Sequence, residues 1–360
     1  MSKPYKIIIS GGGTGGHIYP AIAIANELKS RYTDIEILFV GAEGKMEMEK
    51  VPKAGFEIIG LPIAGINRSN MLANLKFPFK LINSLRLAYK TISTFKPDVA
   101  IGVGGYASGP TLLMANFKGV KTLLQEQNSY AGITNKFLSK KASKICVAYP
   151  KMETFFPIEK IVFTGNPVRK DIIENIKTRK EALAHFGLDE NKKTLLIIGG
   201  SQGARSINQA IEARLKDLTE ADLQVIWQTG KNFKSEFPTN SKTYISEFIY
   251  EMDLAYKAAD IVISRAGALS VSELCLTNKP SILVPLPTAA EDHQTMNAMS
   301  LVNENAALLV KDIDVNKELI KTTLELASNS NLQGELSENI KAFAKPKAAE
   351  DIVNQILSLI

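Results

Sequence analysis

Ile7-Ile8-Ile9-Ser10-Gly11-Gly12-Gly13-Thr14-Gly15-Gly16-His17 is an apolar strand pattern that runs straight into a glycine turn, and residues 21–28 continue with helical periodicity. About half the chain later the arrangement recurs. Leu195-Leu196-Ile197-Ile198 opens into Gly199-Gly200-Ser201-Gln202-Gly203, followed by helical spacing over 207–215. A buried strand, a glycine turn and a helix start gather backbone N–H groups and the positive helix end at one point, which suits a phosphate. Two such units predict an α/β chain of two doubly wound, Rossmann-like domains facing each other across a cleft. Such a cleft can hold a nucleotide and a second substrate together.

The bulk properties fit. A chain of 360 residues can bury two cores. With 45% hydrophobic and 22% charged residues it reads as a globular protein, neither disordered nor integral to a membrane. No apolar run approaches the roughly 20 residues that span a bilayer. The first strand follows directly on Met1-Ser2-Lys3-Pro4, an arrangement with no room for a signal peptide. Cys146 and Cys275 have neither metal-ligand nor redox spacing and read as reduced, buried thiols. The net charge of +6 is too mild to indicate nucleic acid.

Its distribution is more telling. Between Glu57 and Asp98 no acid occurs, while Arg68, Lys76, Lys80, Arg86 and Lys90 stand beside Phe77, Phe79 and Tyr89. Basic residues mixed with exposed aromatics can sit on an anionic membrane, at about 1 kcal/mol per charge. The same segment also reads as a solvated helix face above a core stripe of Leu81/Ile82, Leu85, Tyr89 and Ile92.

Apolar runs alternate with helical patterns throughout, as in parallel sheets covered on both faces. Strands are predicted at 6–10, 35–40, 56–61, 99–103, 122–125, 144–148 and 161–164. The second half offers 194–198, 224–228, 243–246, 261–264, 281–285 and 307–310. Gly165-Asn166-Pro167 marks the seam, giving domains at 1–166 and 167–345. Ile352, Val353, Ile356, Leu357 and Ile360 form an amphipathic helix over 346–360, expected to cross back onto the first domain.

Gly11, Gly13 and Gly16 satisfy the dinucleotide pattern, but the next strand ends in Val40-Gly41-Ala42 without the acid that would hold an adenosine ribose. This argues against a nicotinamide or flavin site. His17 lies beside a positive helix end, which suits a neutral base or, equally, a cap residue bonded to the loop. A third glycine loop, Gly102-Val103-Gly104-Gly105-Tyr106-Ala107-Ser108-Gly109, precedes Pro110. Gln125-Glu126-Gln127-Asn128, with Asn135 beyond, supplies amides that can read sugar hydroxyls or close local turns. Ser264-Arg265-Ala266-Gly267-Ala268-Leu269-Ser270-Val271-Ser272-Glu273 ends a strand and begins a helix. Glu273 there could accept both hydroxyls of a ribose, or simply sit favourably near the helix start. Asp292-His293-Gln294 occupies another such loop.

The three histidines (His17, His185, His293) have no ligand spacing, and Asp312-Ile313-Asp314 reads as a helix cap rather than a metal-diphosphate site. There is no Walker lysine and no G-x-S-x-G elbow.

Six motifs in this order resemble one family. They are residues 12–17, Gly104-Gly105-Tyr106 with Ser108-Gly109-Pro110, Glu126-Gln127-Asn128 with Asn135, Gly165–Arg169, 199–205, and 265–273. The family is MurG, the N-acetylglucosaminyltransferases that make the last cytoplasmic intermediate of bacterial peptidoglycan. The resemblance implies a two-domain glycosyltransferase of the B type with no metal and no cofactor. It implies transfer of N-acetylglucosamine from UDP-GlcNAc to the C4 hydroxyl of undecaprenyl-diphospho-N-acetylmuramoyl-pentapeptide, with inversion. It places Ile249 at the uracil through its backbone, Glu273 at the ribose, and Ser201 with Ala268, Leu269, Ser270, Val271 and Ser272 at the diphosphate. Arg169 and Gln294 complete the donor contacts, and Asn128 reaches the transferred sugar. Thr14, Gly15 and Gly16 close over the reaction centre, with Gly104, Gly105, Tyr106 and Asn135 on the acceptor side. His17 is the candidate base and Glu126 the second. Lys76, Phe77, Phe79, Lys80 and Arg86 fall on the family's membrane-facing surface, so the implied location is peripheral, on the cytoplasmic face of the cell membrane. Implied partners are the two substrates, anionic lipid and other cell-wall synthesis proteins, but no nucleic acid.

Two other functions share these features. A UDP-GlcNAc 2-epimerase would turn over the donor alone, and a non-catalytic UDP-sugar-binding scaffold would bind it without turnover.

Overall fold

The computed structural model describes residues 4–65 and 77–360. The chain separates into two compact units, Met1–Val168 with Lys347–Ile360, and Arg169–Pro346.

The first unit carries β1 (Lys6–Ser10), β2 (Glu36–Ala42), β3 (Glu57–Leu61), β4 (Val99–Gly102), β5 (Lys121–Glu126), β6 (Lys144–Val147) and β7 (Ile161–Phe163). Its helices in sequence are α1 (Gly15–Arg31), α2 (Glu47–Lys53), α3 (Phe77–Phe95), α4 (Ser108–Phe117) and α5 (Ile133–Ser139). All strand pairs are parallel, in the order β3-β2-β1-β4-β5-β6-β7. Alternation along β1 divides the core. Ile7 and Ile9 pack with Ile18, Ile24 and Leu28 of α1, whereas Ile8 faces Ala88 and Ile92 of α3. Both sheet faces are therefore covered by helices, as the continuous apolar strands require.

The second unit contains α6 (Lys170–Glu174), α7 (Arg179–Phe186), β8 (Lys193–Ile198), α8 (Arg205–Glu220), β9 (Leu223–Gln228) and β10 (Thr243–Ser246). It continues with α9 (Met252–Ala258), β11 (Ile261–Ser264), α10 (Ala268–Thr277), β12 (Ser281–Leu283), α11 (His293–Val302), β13 (Leu308–Leu309), α12 (Val315–Ser328) and α13 (Ser330–Lys341). Its parallel order, β10-β9-β8-β11-β12-β13, repeats that of the first six strands. Each sheet thus reverses its strand order at its founding strand, at β1/β4 and at β8/β11. Open α/β sheets bind ligands at the carboxyl ends of such pairs. Both glycine loops lie there.

α14 (Ala348–Leu357) returns to the first unit. Ile352, Val353 and Ile356 join the core beneath α1, Arg31 donates to Asn354 at 2.7 Å, and Lys144 donates to Gln355 at 2.6 Å. The basic, aromatic segment matches the expected core stripe only in part. Ser84, Ala88, Thr91 and Ile92 of α3 face inward, while Ile82 and Tyr89 are exposed. Small residues let α3 lie close to α4, so the larger side chains turn outward. Arg68 and Lys76 lie outside the described residues. Among the described residues no helix is long and apolar enough to cross a membrane.

Ile356 is fully buried. Ile356→Ala is expected to lower the unfolding free energy of the first unit by about 2–5 kcal/mol. A urea titration measures this, and an unchanged midpoint would show that α14 does not stabilise the unit.

Candidate functional site

In the first unit, the loops after β1 and β4 meet backbone against backbone. Gly104 and Gly105 take left-handed conformations (φ 91° and 87°), and a Cβ on Gly105 would stand 3.0 Å from the Gly12 nitrogen. A Cβ on Gly104 would lie 2.9 Å from the His17 ring, so the imidazole rests over that glycine. Ser108 ties the two loops through its single hydroxyl hydrogen, shared between Ser10 O at 2.7 Å and Gly104 O at 2.9 Å. Tyr106 is half exposed and flanks Gly13 and Gly65.

His17 Nδ1 lies 3.0 Å from Gly12 O and 3.2 Å from Thr14 Oγ1. A carbonyl only accepts, so the Gly12 contact assigns the ring proton to Nδ1 and the lone pair to Nε2. The geometry joins the two readings of His17: the residue is bonded to the loop, and that bond prepares the opposite nitrogen as a proton acceptor. Thr14 caps α1 in an extended conformation and is exposed, with Gly15 and Gly16 forming the first turn.

The loop after β5 departs from expectation. Glu126 is only 2% exposed. Its Oε1 accepts from the Asn128 backbone at 3.1 Å and side chain at 3.4 Å, its Oε2 from Gly132 N–H at 3.1 Å and Asn135 Nδ2 at 2.9 Å. Burial pushes its pKa up, and these bonds pull against that shift. A carboxylate with four protein donors organises its loop, and this placement speaks against Glu126 as the base. Asn135 is buried behind that loop rather than presented on the acceptor side. Gln125 and Gln127, read from sequence as sugar-binding amides, are also scaffold. Gln125 donates to Asn166 at 3.0 Å, Asn166 to Gln127 O at 3.0 Å, and Gln127 to Val103 O at 2.8 Å. Asn128 keeps partial exposure at the tip.

In the second unit the structure brings Arg169, Tyr256 and Glu273 together. The buried Tyr256 hydroxyl donates to Glu273 Oε2 at 3.0 Å, and Arg169 Nε stands 3.7 Å from Oε1. The Glu273 side chain retains 14% exposure. Burial raises its pKa, opposed by the Arg169 charge and the Tyr256 bond. Gly267 precedes α10 in an extended conformation, and Val271 N–H is the first to bond back, to Gly267 O at 2.9 Å. The N–H groups of the first turn have no partner within the helix and can meet an anion. Within 268–272 the roles differ from expectation. Val271 is core with its N–H bonded into the helix, and the Ser272 hydroxyl bonds back to Ala268 O at 2.9 Å, so the open N–H groups are those of Ala268, Leu269 and Ser270. Ser201 is exposed at the tip of the other glycine loop.

Sequence reasoning missed Gln228, Arg265 and Tyr256. Gln228, the last residue of β9, donates to Gly200 O at 3.1 Å and accepts from Ile249 N–H at 3.0 Å. Ile249 N–H is thus engaged, and a base bound there displaces Gln228 or uses the carbonyl. Arg265 is buried and reaches Val284 O at 3.1 Å, Pro285 O at 3.2 Å, Ser206 Oγ at 2.9 Å and Asp312 at 2.5 Å. Asp314 stands at the N-cap position of α12 without a side-chain cap bond, and Asp312 is the ion-pair partner of Arg265. Gln294 Oε1 accepts from Leu286 N–H at 3.0 Å, which gives its amide nitrogen the donor role toward a ligand. His293 begins α11 beside it. The polar strand end of Gln228 was a legible signal; Tyr256 had none. No group of three or more His, Cys, Asp or Glu residues able to hold a metal occurs among the described residues.

Residues 7–147 match the glycosyltransferase family 28 N-terminal domain and residues 194–354 its C-terminal domain. A relative from Parabacteroides distasonis is 56% identical over 99% of both chains, and one from Cytophaga hutchinsonii is 57% identical over 99% of this chain and 98% of the other. Both are named UDP-N-acetylglucosamine--N-acetylmuramyl-(pentapeptide) pyrophosphoryl-undecaprenol N-acetylglucosamine transferase. The solved structure of Acinetobacter baumannii MurG superposes with a TM-score of 0.79 at 29% identity, covering 99% of this chain and all of that one.

Because the folded protein holds the Glu273 proton more tightly than the unfolded chain, ionisation of Glu273 costs stability. That cost appears as pH rises from the ordinary carboxylate range through the raised folded value. Glu273→Gln removes the dependence. The variant should gain stability relative to the parent as pH rises above the ordinary carboxylate range, read as the difference in Tm. A flat or reversed difference rejects the account.

Proposed function

The chain belongs to glycosyltransferase family 28, and from that premise we infer that it transfers N-acetylglucosamine from UDP-GlcNAc to undecaprenyl-diphospho-N-acetylmuramoyl-pentapeptide. It is a UDP-GlcNAc-dependent glycosyltransferase of peptidoglycan synthesis. The observation that carries the reading is full-length identity above one half to relatives of that name, in a chain whose second switch point presents a held carboxylate beside a helix start.

Glu273, positioned by Tyr256 and Arg169, accepts both ribose hydroxyls. The first turn of α10 and the Gly199–Gly203 loop face the donor diphosphate. Their N–H groups meet charge as it develops on the departing UDP, at a few kcal/mol for each well-placed donor. Ile249 meets the uracil through its backbone, and Gln294 and Asn128 hold the transferred sugar. On the acceptor side, Thr14, Gly15 and Gly16 with Gly104, Gly105 and Tyr106 receive the lipid diphosphate and muramoyl sugar. His17 Nε2 takes the proton from the C4 hydroxyl as its oxygen attacks C1 of the donor sugar. The C1–O bond to phosphate breaks on the opposite face, and the anomeric centre inverts.

A lipid-linked acceptor supports a peripheral location on the cytoplasmic membrane face. Phe79 is 72% exposed and Phe117 74%, with Lys80, Arg86 and Lys90 exposed around them. Lys118 lies 5.0 Å over the Tyr89 ring, which neighbours Phe117 at 6.3 Å. Phe77, expected in this surface, is partly buried against the core and contributes little to it.

Label from UDP-GlcNAc is expected to move into a short-chain lipid-linked muramoyl-pentapeptide in the presence of EDTA. Epimerisation of the donor alone, or binding without turnover, would overturn the assignment, and rescue by magnesium would overturn the metal-free route. Glu273→Ala should raise the donor KM about tenfold to a hundredfold, through loss of charge-assisted bonds. His17→Ala should lower kcat about a hundredfold or more; an unchanged kcat removes His17 as the base. In a vesicle sedimentation assay, Lys80→Glu with Arg86→Glu should weaken binding to anionic vesicles by tenfold or more, at about 1 kcal/mol per charge. Undiminished binding would place the membrane surface elsewhere.

A further inference from the structure

One buried carboxylate is used by none of these steps. Glu47 opens α2 and is almost wholly buried. Its Oε2 accepts from Gly13 N–H at 2.9 Å and its Oε1 from Ala42 N–H at 3.0 Å. The space it fills is kept open by glycines: a Cβ on Gly12 would overlap the carboxylate, and a Cβ on Gly41 would lie 2.6 Å from Glu47 Cγ. Gly13 N–H and Gly12 C=O are the two ends of one peptide group, and in a trans peptide they point in opposite directions. The N–H end goes to Glu47. The C=O end accepts from His17 Nδ1 at 3.0 Å. Carboxylate, peptide and imidazole therefore form a single hydrogen-bonded row.

We propose that Glu47 is a positioning residue that fixes the His17 tautomer through the Gly12–Gly13 peptide. A carboxylate on the N–H end polarises the peptide and makes its carbonyl a stronger acceptor, since hydrogen bonds in a row reinforce one another. The stronger carbonyl holds the proton on Nδ1, so Nε2 presents its lone pair. The same two bonds pin the peptide plane, and with it the imidazole. The arrangement does what a carboxylate bonded directly to a histidine does in other enzymes, with a peptide interposed. Its catalytic consequence rests on His17 being the proton acceptor; the link between Glu47 and the tautomer does not.

Two readouts separate these. Long-range 1H–15N spectra of protein labelled at histidine, recorded where His17 is neutral, report which ring nitrogen carries the proton. With three histidines in the chain, His17→Ala identifies the signal. The parent should show the Nδ1–H form, and an Nε2–H form overturns the proposal whether or not any variant folds. Glu47→Gln has one acceptor oxygen for two N–H groups and should give a mixture of tautomers. It should lower kcat about tenfold or more, the usual scale for a slightly misplaced group, with the donor KM unchanged. Glu47→Asp keeps both acceptor oxygens and should retain the Nδ1–H form. In a His17→Ala background, Glu47→Gln should change kcat by less than about twofold, because the two act as one unit. An unaltered tautomer in Glu47→Gln, or an undiminished kcat loss without His17, rejects the role. If His17→Ala alone leaves kcat intact, the base assignment fails while the spectra still decide the tautomer link.

Discussion

The first unit depends on one contact, the approach of the Gly105 α-carbon to the Gly12 backbone. No side chain fits between them. The contact exists because β1 and β4 are adjacent parallel strands whose following loops leave in opposite directions. It brings the start of α1 against the loop before α4, and His17 comes to rest over Gly104. From there the remaining geometry follows. The Gly12–Gly13 peptide is held edge-on, with an imidazole at one end and a carboxylate at the other. Left-handed glycine conformations are costly in the unfolded chain's entropy, and they are used here because only a bare α-carbon permits the approach.

The second unit repeats the topology and solves the same problem with side chains. Gln228 bridges the Gly199–Gly203 loop to the backbone at Ile249. Arg265 joins the start of α8, the segment beyond β12 and Asp312 through one buried guanidinium. Its planar set of donors satisfies four acceptors that would otherwise need separate partners. A buried ion pair of this kind is weak support for stability by itself, but removing either member strands a charge. The geometry around these loops is thus fixed by side chains bonded to backbone and to one another.

These differences explain what the sequence disclosed. The strand runs, the two glycine loops and the return of the last helix follow from local pattern and were readable to within a residue or two. Side-chain roles were less so. Gln125, Gln127 and Asn135 lie about the carboxyl end of β5, where amides could face a sugar, yet they bond within the scaffold, because strand twist and loop depth are tertiary properties. Glu47 escaped notice because an acid was expected at the tip of β2, at Val40-Gly41-Ala42; Glu47 lies five residues beyond Ala42 and reaches back to it and to Gly13. Tyr256 and Glu273 meet only after two crossovers. The α3 stripe was legible in part: Ile92 is buried and Leu81 packs on the core as its periodicity implies, whereas Ile82 and Tyr89 are exposed and Ser84 and Ala88 face inward in their place.

Acceptor capacity distinguishes the buried acids more sharply than burial does. A carboxylate offers about four lone-pair positions. Glu126 gives all of its capacity to four donors within its own loop, so it has nothing to offer a ligand hydroxyl without breaking a scaffold bond. Glu47 has each oxygen bonded to a backbone N–H in a space too tight for more than its own side chain. Glu273 receives one short bond, from Tyr256, and an arginine at 3.7 Å, while its side chain still meets solvent. Of the three, it alone combines a fixed orientation with lone pairs not taken by protein donors and with exposure to solvent. Ribose offers two vicinal hydroxyls, and the proposed donor contact rests on that match.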